Sequence, residues 1–400
     1  MSIKFIKEQL KTIPRASGIY KFFDKSNKIL YVGKAKNLHS RVSSYTRENA
    51  LSARISRMVF LANKIEIIQT ESEVEALLLE HNLIKTLLPR FNILLRDDKT
   101  FSEILISDHK FPQISKYRGH KKNEINSKNY YFGPFASGYD VIKTIEALRK
   151  IFLLRICTDS EFKSRKKPCL EYQIKRCLAP CVGLVEKDEY AISVNNAIDF
   201  LKGKSTQVQE ELTKRMLHFS EIQNYEKAVI IRDQIKALDS IQAKQNINVD
   251  GLNNSDVITI IQISDSVCIY VNFYRSSRSL GAKPYYFGIE KEKKLKDLLS
   301  EFLGQFYLSH NPPSTVILNE EIDEVKIMEG FLAEISQQKI EIISPKKGRK
   351  LELVKDQENL AKQTLERKIS QNLSNKELLL EVKKIFNLKK MPQRIEIYDN

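Results

Sequence analysis

The chain has 400 residues, 42% hydrophobic and 29% charged, which suits a soluble, globular protein of roughly two to four domains and makes a single core unlikely to account for it. Its 66 Lys and Arg against 50 Asp and Glu give a formal charge of +16, the balance expected of a protein that meets a polyanion, although a ribosome-bound or anionic-membrane protein would share it. The N-terminal MSIKFIKEQLKTIP alternates charged with apolar residues, unlike a signal peptide, and no apolar run is long enough to span a bilayer, so a cytoplasmic chain without membrane contact is expected.

Basic residues cluster at Lys34, Lys36, Arg41 and Arg47, at Lys163, Arg165, Lys166 and Lys167, and at Lys346, Lys347, Arg349 and Lys350, each a polyanion contact or a solvated face. In chain order, GIYKFFDKSNKILYVGKA over 18–35 reads as a hairpin, two short strands flanking the turn-forming Asp24, Ser26 and Asn27. Asn37 caps a helix to about Tyr45, a second helix covers Leu51 to Leu61, and a strand runs from Ile65 to Thr70. Ser72 and Glu75 have the spacing of a capping box and open a helix through about Leu88, stopped by Pro89. Leu77, Ile84 and Leu88 mark its apolar stripe, and Glu80 lies on the same face, where a carboxylate is costly without a partner. Two readings follow: an ion pair with a lysine or arginine, or a metal ligand. Arg41, one helical turn after Leu38, poses a similar choice between a surface arginine and a site residue.

Cys157, Cys169, Cys177 and Cys181 lie in the string ICTDSEFKSRKKPCLEYQIKRCLAPCVG. In a reducing compartment such clustering favours one tetrahedral metal site, zinc or an iron–sulfur cluster, over disulfides, and spacing does not choose between the metals. Buried reduced cysteines are the bland alternative. From Ser205 to Gln242 the pattern is a helical hairpin, with Leu212, Met216 and Phe219 on one helix, Ala228, Ile231 and Ile235 on the next, and a break at Gln223 and Asn224. After the linker KQNINVDGLNNSD, alternating strands run from about Asp256 to Phe287, with Cys268 as core, and helices and strands then alternate to the end, an RNase H-like layout. The first of these strands, DVITIIQIS, has no central carboxylate, which argues against a metal-dependent nuclease site there. KGKS at Lys202 to Ser205 has the ending of a phosphate-binding loop, but Ile198 stands where the first glycine is required, and neither H-E-x-x-H nor G-x-S-x-G occurs.

Gly18-Ile19-Tyr20 and Tyr31-Val32-Gly33, followed in order by Lys34, Arg41, Tyr45, Glu80 and Asn92, resemble the signature of the GIY-YIG nucleases. The string EALLLEHNLIKTLLPRFNILLRDDK from Glu75 to Lys99 is similar to the UvrC branch of that family, with His81 where the family usually has asparagine and Val32 for isoleucine. The resemblance implies that Glu80 holds a single Mg²⁺ or Mn²⁺, that Tyr31 acts as general base toward water and that Arg41 stabilises the developing charge, with Tyr20, Lys34, Tyr45 and Asn92 in support. A tyrosine base must be brought from a pKa of about 10 toward neutrality. The cysteine string resembles the UvrC segment whose four positions hold an iron–sulfur cluster. Tyr225 through Ile235 looks like the UVR motif that UvrB and UvrC share, which implies direct contact with UvrB through Tyr225, Ala228, Arg232, Asp233 and Ile235. The RNase H-like layout is similar to the family's catalytically silent domain, and the closing RIEIYDN resembles the opening of its active RNase H-like nuclease, with Asp399 as first acid.

The expected architecture is therefore α/β multidomain: a small mixed α/β GIY-YIG domain over 1–100, a cysteine-rich domain over 101–202, a UVR helical hairpin over 203–243, an RNase H-like α/β domain over 254–375, and the incomplete start of a second RNase H-like nuclease over 376–400. The resemblance implies a subunit of nucleotide excision repair that cuts damaged double-stranded DNA 3′ to a lesion when recruited by UvrB, with UvrA as a functional partner. The alternatives are a noncatalytic UvrB-binding remnant and a homing-type GIY-YIG nuclease, the latter opposed by the UVR-like hairpin and the cysteine segment.

Overall fold

The computed structural model describes residues 2–47, 51, 53–95, 100–119, 128–244, 252–288, 294–388 and 390–392. Helix α1 (Ser2–Gln9) precedes strands β1 (Gly18–Phe23) and β2 (Ile29–Ala35), which pair antiparallel with Tyr20 opposite Gly33 and Phe22 opposite Tyr31. Asp24 makes the turn: its Oδ1 accepts the N–H groups of Ser26 and Lys28 at 2.8 and 2.9 Å, and Asn27 takes the left-handed conformation. Asn37 caps α2 (Leu38–Ser44), and α3 (Ala53–Leu61) leads into β3 (Lys64–Gln69), giving the sheet order β2-β1-β3.

Ser72 Oγ accepts the Glu75 N–H at 3.0 Å and starts α4 (Glu73–Leu87). The Glu75 carboxylate reaches back to the Glu71 N–H at 2.8 Å rather than to that of Ser72, so one arm of the expected capping box is displaced by a residue. Leu88, expected on the buried stripe, is instead the left-handed C-cap of α4 and 63% exposed. Ending a helix just before a proline turns this residue out of the apolar stripe. One face of the sheet packs Ile19 and Val32 against Ala76 and Ile84 of α4; the other packs Tyr20 and Phe22 against Leu38, Val42 and Met58.

The middle of the chain builds a second antiparallel sheet from β4 (Ser102–Ile106), β5 (Ile114–Tyr117) and β6 (Tyr130–Phe135), in the order β5-β4-β6, against α5 (Gly138–Phe152). The cysteine segment carries α6 (Asp159–Ser164), opened by a complete Thr158–Glu161 capping box, and α7 (Leu170–Gln173), before α8 (Lys187–Leu201). Helices α9 (Ser205–Glu221) and α10 (Tyr225–Lys244) form the expected hairpin, broken where Gln223 is left-handed. Val208, Leu212, Ile231 and Leu238 are buried in the same cluster as Ile104, Leu148 and Tyr190. The expected boundary after residue 202 is thus a turn within one core, and each such aliphatic side chain contributes on the order of 1.5–3 kcal/mol to holding the hairpin there.

Strands β7 (Asn254–Ile263), β8 (Ser266–Arg275) and β9 (Arg278–Gly288) form a meander, followed by α11 (Leu295–Tyr307), β10 (Thr315–Leu318), α12 (Val325–Ser336) and β11 (Glu341–Ile343). With β10 parallel to both β7 and β11, the sheet order is β11-β10-β7-β8-β9, the RNase H-like arrangement. Helix α13 (Arg349–Ile385) packs on β7 and β8 and runs unbroken through position 376, where the start of a further unit was expected. The strand expected over 394–400, with Asp399, lies outside the described residues, as does most of the linker. Strand β7 has no central carboxylate: Asp256, near its start, is buried and neutralised by Arg275 Nη1 at 2.8 Å and the Tyr307 hydroxyl at 2.9 Å. Cys268 is buried in β8. No helix among the described residues is long and apolar enough to cross a membrane.

The first and last of these units share a core. Leu77 of α4 and the connecting Phe101 are buried with Phe302, Phe306 and Phe331. The Gln305 amide donates to Ile93 O at 2.7 Å and accepts the Leu95 N–H at 2.8 Å. Buried His81 packs on Phe331 and requires glycine at 304, where a Cβ would stand 1.9 Å from its Nε2. Burial pushes this imidazole down to about 3, so it is neutral.

Candidate active site

All seven residues singled out in the first hundred positions line one cleft of about 1020 Å³: Tyr20, Tyr31 and Lys34 from the hairpin, Arg41 and Tyr45 around α2, Glu80 from α4, and Asn92 beyond it. The two glycines of the tripeptides make room for this. A Cβ on Gly33 would stand 2.4 Å from the Tyr20 hydroxyl and 2.8 Å from the Tyr31 ring, and one on Gly18 would stand 2.2 Å from Ile68 O of the neighbouring strand. The Tyr20 hydroxyl bonds that of Tyr45 at 2.7 Å and accepts from Arg41 Nε at 3.3 Å. Asn92 brackets one peptide of β2, donating to Val32 O at 2.8 Å and accepting the Val32 N–H at 2.9 Å.

Glu80 Oε1 accepts the backbone N–H of Lys34 at 3.0 Å, whereas the Lys34 ammonium turns away to Glu324 at 2.6 Å. Among the described residues Glu80 makes no ion pair, so the first of its two readings is not realised. Desolvation pushes its carboxyl up to about 7, opposed by Lys34 and reinforced by Glu301. A solitary desolvated carboxylate facing an open cleft suits a hard divalent cation that takes most of its ligands from water. Desolvation first, then Tyr20, Tyr45, Glu301 and Glu80, hold Tyr31 well above the ordinary phenol range, so it is a neutral phenol here. Arg41 is held firmly protonated beside Tyr20 and Tyr45.

The opposite wall was not legible in the sequence. It comes from α11 and the approach to α12: Lys296, Asp297, Glu301, Asp323 and Glu324. Besides the Lys34–Glu324 pair, Lys296 bonds Asp323 at 2.7 Å. No local pattern marks these residues, because only tertiary packing brings them to this cleft.

The families whose sequence patterns match are the UvrC-like GIY-YIG domain over residues 16–93, the UvrC/Cho excinuclease middle domain over 101–200, the UvrB/uvrC motif over 206–241 and the UvrC Ribonuclease H-like domain over 254–368. UvrABC system protein C of Hyphomonas neptunium is 43% identical over 399 residues, which cover 100% of this chain. The chain belongs to the UvrC family. It spans 64% of that relative and 62% of the UvrABC system protein C of Rickettsia bellii, also 43% identical. Among solved structures, the GIY-YIG N-terminal endonuclease domain of UvrC from Thermotoga maritima, bound to magnesium as its catalytic divalent cation, is 35% identical; the match covers 22% of this chain and 96% of that one, with a TM-score of 0.21.

Elsewhere in this UvrC-family chain, the four clustered cysteines are partly exposed and none is in a disulfide. Desolvation, followed by the charges of Cys169, Cys157 and Cys181, pushes the Cys177 thiol up to about 11, so the four share a neighbourhood. The Ala179 N–H donates to Cys177 Sγ at 3.4 Å. Four thiols suit a soft metal by their chemistry, but among the described residues no three of them are gathered closely enough to hold one. On the hairpin, Ala228 is buried and Ile235, partly buried, packs against the core. Tyr225, Arg232 and Asp233 are exposed, the last two paired at 2.8 Å. The apolar surface left open is Ile222, Tyr225, Val229 and Ile230.

Proposed function

We propose that the chain is a cation-dependent DNA endonuclease of nucleotide excision repair that cuts one phosphodiester 3′ to a lesion when UvrB brings it to damaged duplex. The convergence of all seven signature residues on one cleft, with Glu80 desolvated and lacking an ion pair there, carries this reading. Glu80 would hold one Mg²⁺ or Mn²⁺, which when bound supplies charge against the nonbridging oxygens and acidifies a water. Arg41, fixed by Tyr20 and permanently charged, meets the charge that develops on the phosphate. Tyr31 first gives up its phenol proton to solvent, an ionisation favoured by positive charge in the cleft and by removal of the influence of Glu301, since both act on its high pKa; the phenolate oxygen then receives the proton of the attacking water. Lys34, released from Glu324, takes a phosphate oxygen, and Tyr45 and Asn92 keep Tyr20 and β2 in place.

Of the two partners, UvrB is met directly by the exposed face of the hairpin and UvrA acts with it in the cytoplasm. The four thiols take an iron–sulfur cluster, with zinc as the alternative. Binding of Mn²⁺ followed by electron paramagnetic resonance tests the cation site. Affinity should fall at least tenfold in Glu80→Gln, in line with the loss of a charged ligand; unchanged affinity would leave the noncatalytic UvrB-binding reading in its place.

A further inference from the structure

Two arginines that the proposed reaction does not use are buried beside the cysteine segment. A guanidinium out of water costs several kcal/mol unless its N–H groups find acceptors. Arg155, 1% exposed, finds them: Nε donates to Phe111 O at 2.6 Å, Nη1 to Cys157 O at 2.8 Å and Nη2 to Asp159 Oδ1 at 2.5 Å, while Nη2 also lies 3.2 Å from His109 Nδ1. The Phe162 ring centre lies 4.6 Å from the guanidinium carbon. Two of these acceptors, the Cys157 carbonyl and the Asp159 carboxylate, belong to the stretch that carries the first thiol.

Arg149, 7% exposed, is ion-paired with Glu171, two positions beyond Cys169, and its buried Nε has no acceptor. Between the two arginines, Leu153 O accepts the N–H of Leu178, the residue after Cys177. The last turn of α5 and the residues just beyond it therefore pin three thiol-bearing stretches to one base. Apolar packing could fix a loop equally well. The guanidinium pairs do something more, because they tie the thiol-bearing stretches to the end of α5 through directional bonds, and the buried Arg149 Nε–H, without an acceptor among the described residues, would be satisfied by a thiolate.

We infer that Arg149 and Arg155 are positioning residues of the thiolate–metal site, holding the Cys157 and Cys169 stretches for metal capture. This rests on the thiolate–metal reading above. A lysine cannot replace either, since a point charge does not span several acceptors as a planar fork does.

The test measures iron, zinc and acid-labile sulfide in the anaerobically purified full chain, then the rate of metal release to a chelator and the Tm. It compares wild type with Arg149→Lys, Arg155→Lys, Asp159→Asn and Glu171→Gln. The last two side chains are 53% and 30% exposed, so these variants carry the test if an arginine variant does not fold. Release should accelerate by roughly 10–100-fold in the carboxylate variants at unchanged Tm, the range typical of outer-shell partners, and folded arginine variants should be purified largely metal-free. A metal-loaded wild type whose variants all release metal at the wild-type rate overturns the inference and leaves the thiolate site standing. A wild type that takes up no metal even on reconstitution removes the site and the inference together.

Discussion

Asn92 borders the cleft, yet both ends of its amide bind the Val32 peptide, and Arg54 Nη2 holds its own carbonyl at 2.9 Å. Its role is to keep β2, and with it Tyr31 and Lys34, in register. Asn92→Ala should lower stability by about 1–3 kcal/mol, because the Val32 N–H and C=O lose their partners, visible as a reduced Tm in calorimetry, while Mn²⁺ affinity falls far less than in Glu80→Gln. Unchanged Tm would place Asn92 in the chemistry instead. The resemblance picked out seven residues that the fold brings to one cleft, and periodicity by itself marked only Glu80, as a carboxylate on an apolar stripe. The state of Tyr31 was not legible, since the groups that raise its pKa include Glu301, far away along the chain.

The α9–α10 hairpin shows the corresponding limit for an element. Periodicity located both helices and their break at Gln223, and it grouped Ala228, Ile231 and Ile235 correctly on one stripe. It could not say what covers that stripe, because α10 carries apolar residues on two faces and the α5 surface that it meets lies in another part of the chain. The open face predicts how a partner is met. Val229→Glu should weaken UvrB binding at least tenfold in a titration, the size expected for charging the centre of a contact, without altering Tm. Ala228→Glu should instead lower Tm by forcing a carboxylate into the core. The reverse pattern would mean that the hairpin leaves the core to bind.

Across the whole molecule, the N-terminal hairpin, the α9–α10 pair and the β7–β9 meander were legible from alternation and helical period, whereas the β4–β6 sheet with α5 and the joining of the GIY-YIG unit to the RNase H-like unit were not. That joint depends on Leu77, His81, Phe101 and Gly304, which carry no local signature of an interface. Its consequence is a cleft with basic residues on the GIY-YIG side and, opposite, a net acidic wall of Asp297, Glu301, Asp323 and Glu324 with Lys296 among them. The Lys34–Glu324 pair is partly exposed and contributes at most about 1 kcal/mol, so charge removal should tell. Glu324→Gln should raise Mg²⁺-dependent nicking of duplex DNA severalfold at low salt, with the gain shrinking as salt screens the wall; a loss of nicking would make Glu324 a working part of the site. The most direct test of the nuclease assignment is incision of an end-labelled duplex bearing one bulky lesion, with UvrA, UvrB, ATP and Mg²⁺, by this chain and by its Tyr31→Phe and Glu80→Ala variants. The proposed function predicts a single cut 3′ to the lesion that both substitutions abolish. A duplex left intact by a chain that binds UvrB, or a cut that survives Glu80→Ala, would contradict it.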